Sequence, residues 1–570
     1  MKRRLKSWLD SAGLLPIARR LLPKYRRPMA RIVLARLRGR RRELAEAYSE
    51  LSRAQLSWEC PEDALQSCAD ALTADPLCAS AFNSRADVKA FRGNLADAAL
   101  DYRKAVELGL EPPAAKARAC MAIGRELFKR LEDPRSVPET LKFYEAALSC
   151  DPEEPDYYIT AGQAFLYSGD FAKAEEIWAK SGEIRDQLAR SRGLDRRGVR
   201  FIGPSWSSFH LAVLDFYFKM QELGMRPPQR TLVAVGPGRT APTKTNEALV
   251  RIWEPRLEVV ADVSAAGLSE DDAKLLQDDM WTVTMPDGRS KWFLPAAFEV
   301  EQRWEAEGRP PLLRLSDEDK RKVRDVLREL GMPDDAWFVC LHVREAGYWK
   351  GIDEEQRNPR NADISTYFDA VREITSRGGW VVRIGDRAMK RLPPMERVID
   401  FAHSELRTEW MDIFLLAGCR FFIGTASGPA SVPPIYGVPC GLTNWVPIGH
   451  PLWYREVVWI PKLVRSRDKG RVLTLAEIYE AGIGRQQYAR HLDERGLNAV
   501  DNSADDIAAL ALEMLERCEG RCAYREEDET LQRSFARISN SHGGYFGGRV
   551  GRDFLRNHPE LLENSAALTP

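Results

Sequence analysis

Apolar residues change their spacing twice along this chain. From about 45 to 185 small and aromatic residues recur every three or four positions, the pattern of helices that each bury one stripe. From about 230 short apolar runs alternate with amphipathic stretches. "TLVAV" (231–235) reads as a strand ending in Gly236-Pro-Gly238, "TKTNEALVRIW" (243–253) as a helix and "LEVVAD" (257–262) as the next strand. After the proline-rich "GRPPLLRL" (308–315) the alternation resumes. "WFVCLHV" (337–343) reads as a strand, "DISTYFDAVREITSRGG" (363–379) as a helix with a glycine stop, and "WVVRIG" (380–385) as a strand. "DIFLLAGC" (412–419) is a helix and "RFFIGTA" (420–426) a strand; "SGPASVPPIYGVPCGLT" (427–443) closes with a short helix and another strand. Alternation of this kind predicts parallel sheets. Two such sets joined by a crossover predict two Rossmann-like lobes with a cleft between them. The basic stretch "ARSRGLDRRGVR" (189–200) reads as the linker before them. The region from about 471 reads as helical, then irregular over "SNSHGGYFGGRVGRDFL" (538–554).

The helical third repeats. Ala64–Cys68–Ala71–Pro76 matches Ala98–Tyr102–Ala105, Thr140–Tyr144–Ala147–Pro152 and Ala174–Trp178–Ser181, with steps of 34, 42 and 34 residues between the third members. Gly162 and Phe165 complete the last unit, and "LEDPRSVPE" (131–139) lengthens the second step. This period, with small residues, an aromatic and a closing proline, resembles tetratricopeptide repeats. Each unit of such a stack buries its face only against its neighbours, and the stack offers a concave protein-binding surface.

At 570 residues the chain is too long for one core. It is 44% apolar and 29% charged, the composition of a globular protein, and its charges balance, which argues against a nucleic-acid partner. The balance is uneven: residues 1–44 hold fifteen Lys or Arg against Asp10 and Glu43. Broken by Pro16, Pro23 and Pro28, with apolar Leu5, Trp8, Leu9, Ile17, Leu21 and Leu22 between, this segment suits an anionic membrane face. No run of eighteen apolar residues predicts a transmembrane helix, and no h-region with a cleavage site predicts a signal peptide. Ten scattered cysteines without a CxxC read as reduced thiols and no zinc site, so a cytoplasmic protein is expected, peripheral on the inner membrane face if the basic segment binds there. The expected organisation is a basic segment (1–44), helical repeats (45–190), a first Rossmann-like lobe (195–310), a second Rossmann-like lobe (311–470) and a C-terminal helical extension (471–570).

In open parallel sheets ligands bind beyond the carboxyl ends of strands. Three strand ends of the second lobe carry polar groups: His342, Arg344 and Glu345; then Gly385 and Asp386, with Arg387 and Arg391 nearby; then Gly424, Thr425, Ser427 and Gly428. The last is a small-residue turn opening a helix, where N–H groups and hydroxyls can hold a phosphate. Arg344 can complete a fork on the same diphosphate. Asp317-Glu-Asp319 follows Ser316 and is read as helix capping, and Asp363 as an N-cap, so no metal ligand set is expected. For a general base the reading favours His210, at the start of the first lobe's first helix, with Asp386 and Glu345 as rivals.

"FVCLHVRE", "RNADISTYFDAVREITSRGGWVVRIGD" and "FFIGTASGPASVPPIYGVPCGLTNWVP" resemble a family of bacterial surface-carbohydrate glycosyltransferases often fused to tetratricopeptide repeats. "SSFHLAVLDFYFKM" (207–220), "LTLAEIYEAGIG" (473–484) and "GRVGRDFLRNHPELL" (548–562) extend the likeness over roughly 200–560. The His-x-Arg start is more distantly similar to fucosyltransferases of the two-lobed GT-B class. The resemblance implies a nucleotide-sugar donor in the second lobe, contacted by His342 and Arg344 with Thr425, Ser427 and Gly428 beside them, and an acceptor near the first lobe. The nucleotide-sugar is then a substrate, and no cofactor is expected. Where the fucosyltransferase pattern continues with a second Arg and an Asp, this chain has Glu345, Ala346 and Gly347, which leaves sugar and nucleotide open. The expected function is a metal-independent glycosyltransferase whose acceptor is a protein or a surface glycan, the repeats recruiting the acceptor or a partner. Its rivals are a non-catalytic repeat adaptor on a degenerate scaffold and a nucleotide-sugar epimerase.

Overall fold

The structure is a computed structural model and describes residues 23–128, 136–168, 170–196, 198–202, 208–234, 247–277, 282–346, 358–484, 489–542 and 545–563. It divides into two units, Met1–Ile184 and Arg185–Pro570.

The first unit is an all-α, tetratricopeptide-like solenoid. Helix α1 (Pro23–Leu37) leads into four hairpins: α2 (Arg41–Leu56) with α3 (Pro61–Ala74), α4 (Ala79–Phe91) with α5 (Leu95–Glu107), α6 (Pro113–Phe128) with α7 (Ser136–Cys150), and α8 (Pro155–Ser168) with α9 (Phe171–Ser191). The repeating triplets are the buried positions: Ala64, Cys68, Ala71, Thr140, Tyr144, Ala147 and Ala174 are 0% exposed. Small residues are required where the aromatic of one helix meets the other. A Cβ on Gly162 would lie 2.3 Å from Nε1 of Trp178, and one on Gly124 would lie 2.4 Å from Cε1 of Tyr144. Trp178 also donates from Nε1 to the Ile159 carbonyl (3.2 Å), so its polar edge is satisfied inside the core. The basic segment does not stop at 44: α1 packs on α2, with Ile32 and Ala35 buried, and the expected break falls inside α2. Segment 1–22 and most of the 131–139 insertion lie outside the described residues.

The second unit carries the α/β grammar. Its first lobe holds parallel strands β1 (Val199–Ile202), β2 (Arg230–Ala234) and β3 (Glu258–Val260) in the order β1-β2-β3, with α10 (Ser208–Glu222), α11 (Glu247–Trp253) and α12 (Glu270–Leu276). The stretch read as a basic linker, 189–200, thus runs into β1. Its charged residues hide a strand because Arg200, 1% exposed, stacks 3.7 Å above the Tyr217 ring. A hairpin of β4 (Thr282–Thr284) and β5 (Ser290–Trp292) leads into α13 (Phe293–Ala306). The Gly236-Pro-Gly238 turn lies outside the described residues.

After α14 (Asp317–Glu329) comes the large sheet: β6 (Phe338–His342), α15 (Phe368–Ser376), β7 (Trp380–Arg383), β8 (Val398–Asp400), α16 (Glu409–Gly418), β9 (Phe422–Gly424), β10 (Cys440–Trp445) and β11 (Val457–Pro461). β12 (Leu463–Ser466) pairs antiparallel with β13 (Leu497–Val500), and between them lie α17 (Leu475–Glu480) and α18 (Ala489–Asp493). Then follow α19 (Ala504–Cys518), α20 (Glu526–Ser541), β14 (Arg549–Val550) and α21 (Arg552–Asn557). The sheet runs β14-β11-β10-β9-β6-β7-β8, every pair parallel. Strands β6, β9, β10 and β11 are buried at every position, as a sheet covered on both faces requires. The region after 471 is therefore not a separate extension: β14, inside the stretch read as irregular, is the sheet's seventh strand.

From β8 across to β11 the order is that of a doubly wound fold. The chain starts at β6, moves outward to β8, returns and continues on the other side through β9. The reversal falls between β6 and β9, the point at which sheets of this order bind ligands beyond their strand ends. The two lobes meet through α10, which packs against the turn Pro429–Ser431 and whose Asp215 accepts from the Tyr454 hydroxyl (3.2 Å).

Candidate active site

The reversal point is where the sequence-predicted groups meet. In the register of β6 and β9, His342 lies opposite Gly424. Thr425 N–H donates to the His342 carbonyl (3.1 Å), and the Thr425 hydroxyl, fully buried, accepts from the backbone N–H of Arg344 (2.9 Å). Ser427 Oγ lies 3.1 Å from His342 Nδ1. The third strand end joins them: at Gly385 φ is +145°, and a Cβ there would reach 2.2 Å from Met389 Sδ and 3.5 Å from His342 Cδ2.

His342 is buried, and burial, followed by the positive charges of Arg383 and Arg344, pushes its imidazole down to about 3. It is neutral at physiological pH. The Ser427 hydroxyl has one proton, and its Oγ is also 3.1 Å from the Thr425 carbonyl. When that proton points to the carbonyl, Nδ1–H must be the donor to Ser427, leaving the lone pair on Nε2.

Between Thr425 and Pro429 the N–H groups of Ala426, Ser427 and Gly428 meet no acceptor among the described residues. Three consecutive donors at the end of a buried strand suit an anion. The expected helix after them is instead two 3-10 turns, Pro429–Ser431 and Pro433–Tyr436, because Pro429, Pro433 and Pro434 remove the N–H groups an α-helix needs. Helix-dipole stabilisation is correspondingly small, and the N–H groups of 426–428 are the donors this strand end presents. Gly428 is right-handed (φ −54°, ψ −49°), and its carbonyl accepts from the Ser431 hydroxyl (2.7 Å).

The rival bases are engaged elsewhere. Glu345 accepts from Arg383 Nη2 (3.2 Å) and from Lys390 N–H (3.0 Å). Asp386 accepts from Ala388 N–H (2.8 Å) in its own turn. His210 sits in the first turn of α10, and its side chain is outside the described residues. Ser316 caps α14 by accepting from Asp319 N–H (3.1 Å), and Asp363 caps the turn before α15 by accepting from Ser365 N–H (3.0 Å). Both fit the capping role expected of them.

Three features escape the sequence pattern. Arg383, in the middle of "WVVRIG", is 0% exposed and is held by Asp400 (2.9 Å) as well as Glu345; a charge inside an apolar strand is its signal. Arg360 donates to the Ala426 carbonyl (2.8 Å), tying the chain after the 347–357 segment to the 426–428 turn. Behind the site, Thr443 Oγ donates to the Gly424 carbonyl (3.2 Å) and lies 2.6 Å from the Tyr367 hydroxyl, to which Asn444 also donates (3.0 Å). Asn444 has φ +51°, and it exchanges backbone–side-chain bonds with Asn502. This network fixes the carboxyl ends of β9 and β10 without reaching the surface.

Among the described residues no helix is long and apolar enough to cross a membrane, and the cysteines are free thiols.

No family model and no curated protein matches the chain. Solved structures do resemble parts of it. MamA is 17% identical, covering 32% of this chain and 96% of its own, with a TM-score of 0.24. A glycosyl transferase family 9 protein from Veillonella parvula is 10% identical over 57% of this chain and 98% of its own (TM-score 0.35). The E. coli ADP-heptose LPS heptosyltransferase II is 13% identical over 46% and 90% (TM-score 0.27). At these scores the likenesses accompany the fold described above and carry no argument of their own.

Proposed function

We propose that the second unit is a glycosyltransferase that moves a sugar from a nucleoside diphosphate donor to an acceptor hydroxyl. The observation that supports this most is the gathering of Arg344, Thr425, Ser427 and three N–H groups that meet no acceptor among the described residues at the reversal point of a doubly wound sheet. In the reaction the bond from the anomeric carbon to the donor phosphate breaks, and one from that carbon to the acceptor oxygen forms. The diphosphate leaves with the electron pair, and its charge is met by Arg344 and the N–H groups of 426–428, with no metal ion needed. The acceptor proton goes to a base, for which His210 on α10 is favoured, since that helix packs on the 429–431 turn. Glu345 is a poor candidate, because taking a proton would break its pair with Arg383.

The repeats recruit a protein, either the acceptor or a partner. Arg53, Arg118 and Arg125 are exposed on α2 and α6 and form no ion pair among the described residues, which suits an acidic segment. Calorimetry with GDP, UDP, CMP and their sugars tests the reading. The expected result is binding of one nucleotide, at least tenfold weaker in Arg344→Ala, and sugar transfer in its presence. Absence of any nucleotide response would favour the adaptor, and a changed sugar without acceptor the epimerase.

A further inference from the structure

Helix α1 has two apolar faces, and only one is covered. Pro28, Ile32 and Ala35 are buried on the side that packs against α2. On the outer side Met29, Val33, Leu34 and Leu37 are 45%, 53%, 49% and 78% exposed. They make up four of the nine exposed large apolar residues among the described residues; of the other five, Leu77, Phe91, Leu95 and Leu100 lie in or beside the α4–α5 hairpin and Val259 in β3. Positions 29, 33 and 37 follow one another at single-turn steps with 34 beside them, so they form one stripe. A helix face exposed to water is expected to be polar.

The charges around the stripe indicate what covers it. Arg31 pairs with Glu50, Arg40 with Glu43, Arg42 with Glu46, and Arg36 donates to Tyr48. Arg27, Arg38 and Arg41 are exposed and form no ion pair among the described residues. An apolar stripe beside uncompensated guanidinium groups complements a surface in which apolar tails lie under anionic headgroups. A second copy of the same face would bring like charges together. We propose that α1 docks the protein on an anionic bilayer, with Met29, Val33 and Leu37 entering the headgroup boundary and Arg27, Arg38 and Arg41 meeting lipid phosphates.

The test is co-sedimentation of the full chain with phosphatidylcholine vesicles, with and without phosphatidylglycerol. Two variants accompany it: Val33→Glu with Leu37→Glu, and Arg27→Ala with Arg38→Ala and Arg41→Ala. The expected result is binding that needs phosphatidylglycerol and falls as salt rises. The triple arginine variant should bind about a hundredfold more weakly, at about 1 kcal/mol for each charge near the surface. The glutamate pair should abolish binding while melting at the wild-type temperature, because its sites are exposed. Wild-type protein that ignores phosphatidylglycerol vesicles, or variants that bind as wild type does, would overturn the proposal. So would a glutamate pair that unfolds the repeats, which would assign the stripe to residues 1–22, or one that splits a wild-type dimer in light scattering, which would assign it to a second copy.

Discussion

Gly424→Ala should open the candidate site along its seam. Gly424 ends β9 directly opposite His342, and a methyl group there would sit 2.2 Å from the His342 carbonyl oxygen and 2.8 Å from Cζ of Phe422. Neither neighbour can swing away, since one is backbone inside a paired strand and the other is a 0% exposed ring. Relief requires the two strands to part by roughly 1 Å, which lengthens the Thr425 N–H to His342 carbonyl bond beyond useful range. The bond from Arg344 N–H to the Thr425 hydroxyl lies on the same seam and would go with it. Overpacking contributes about 1–3 kcal/mol, and each buried hydrogen bond left unmade a further 1–3. Because the strands can share the strain, we expect about 3 kcal/mol in total. Urea denaturation followed by tryptophan fluorescence, with nucleotide calorimetry under native conditions, separates stability from binding. A Gly424→Ala protein of essentially wild-type stability and with unchanged nucleotide affinity would refute the account of this seam.

Other expectations follow from the same geometry. Arg383→Met leaves Glu345 and Asp400 without the buried guanidinium they share and should destabilise the second unit by about 3–5 kcal/mol in urea denaturation; a loss under about 1 kcal/mol would contradict this. His342 has its pKa lowered by folding, so its contribution is complete above the ordinary imidazole value of 6.5 and is lost as pH falls towards 3. Stability of wild type relative to His342→Gln should therefore drop through that window, by up to about 1.4 kcal/mol per pH unit, and a pH-independent difference would exclude it. Lys219 holds buried Asp215 (2.9 Å) and Glu301 (2.7 Å), and burial raises Glu301 to about 7. Lys219→Met should cost about 3–5 kcal/mol at pH 8 and less at pH 5, because Glu301 then takes up a proton in the folded state; equal losses at both pH values would contradict this.

Much of this protein was legible from local pattern. The repeat register could be read because each unit places the same small and aromatic residues at its helix contact, so Tyr144 and Trp178 announce their pockets within one period. The central strands β6, β7, β9 and β10 announce themselves as apolar runs, since both faces are covered. The turn after β9 does so by its small residues. What the pattern could not supply was neighbourhood. That β6 lies beside β9, about eighty residues away, follows from crossovers returning to the starting strand, and only that adjacency brings Arg344 to Thr425. Arg200 and Arg383 look like surface charges until a distant ring or pair of carboxylates covers them, and β14 looks irregular until β11 supplies its hydrogen bonds. Helical periodicity is written in residues three and four apart. A parallel sheet and the site at its edge are built from contacts that only the folded chain brings together.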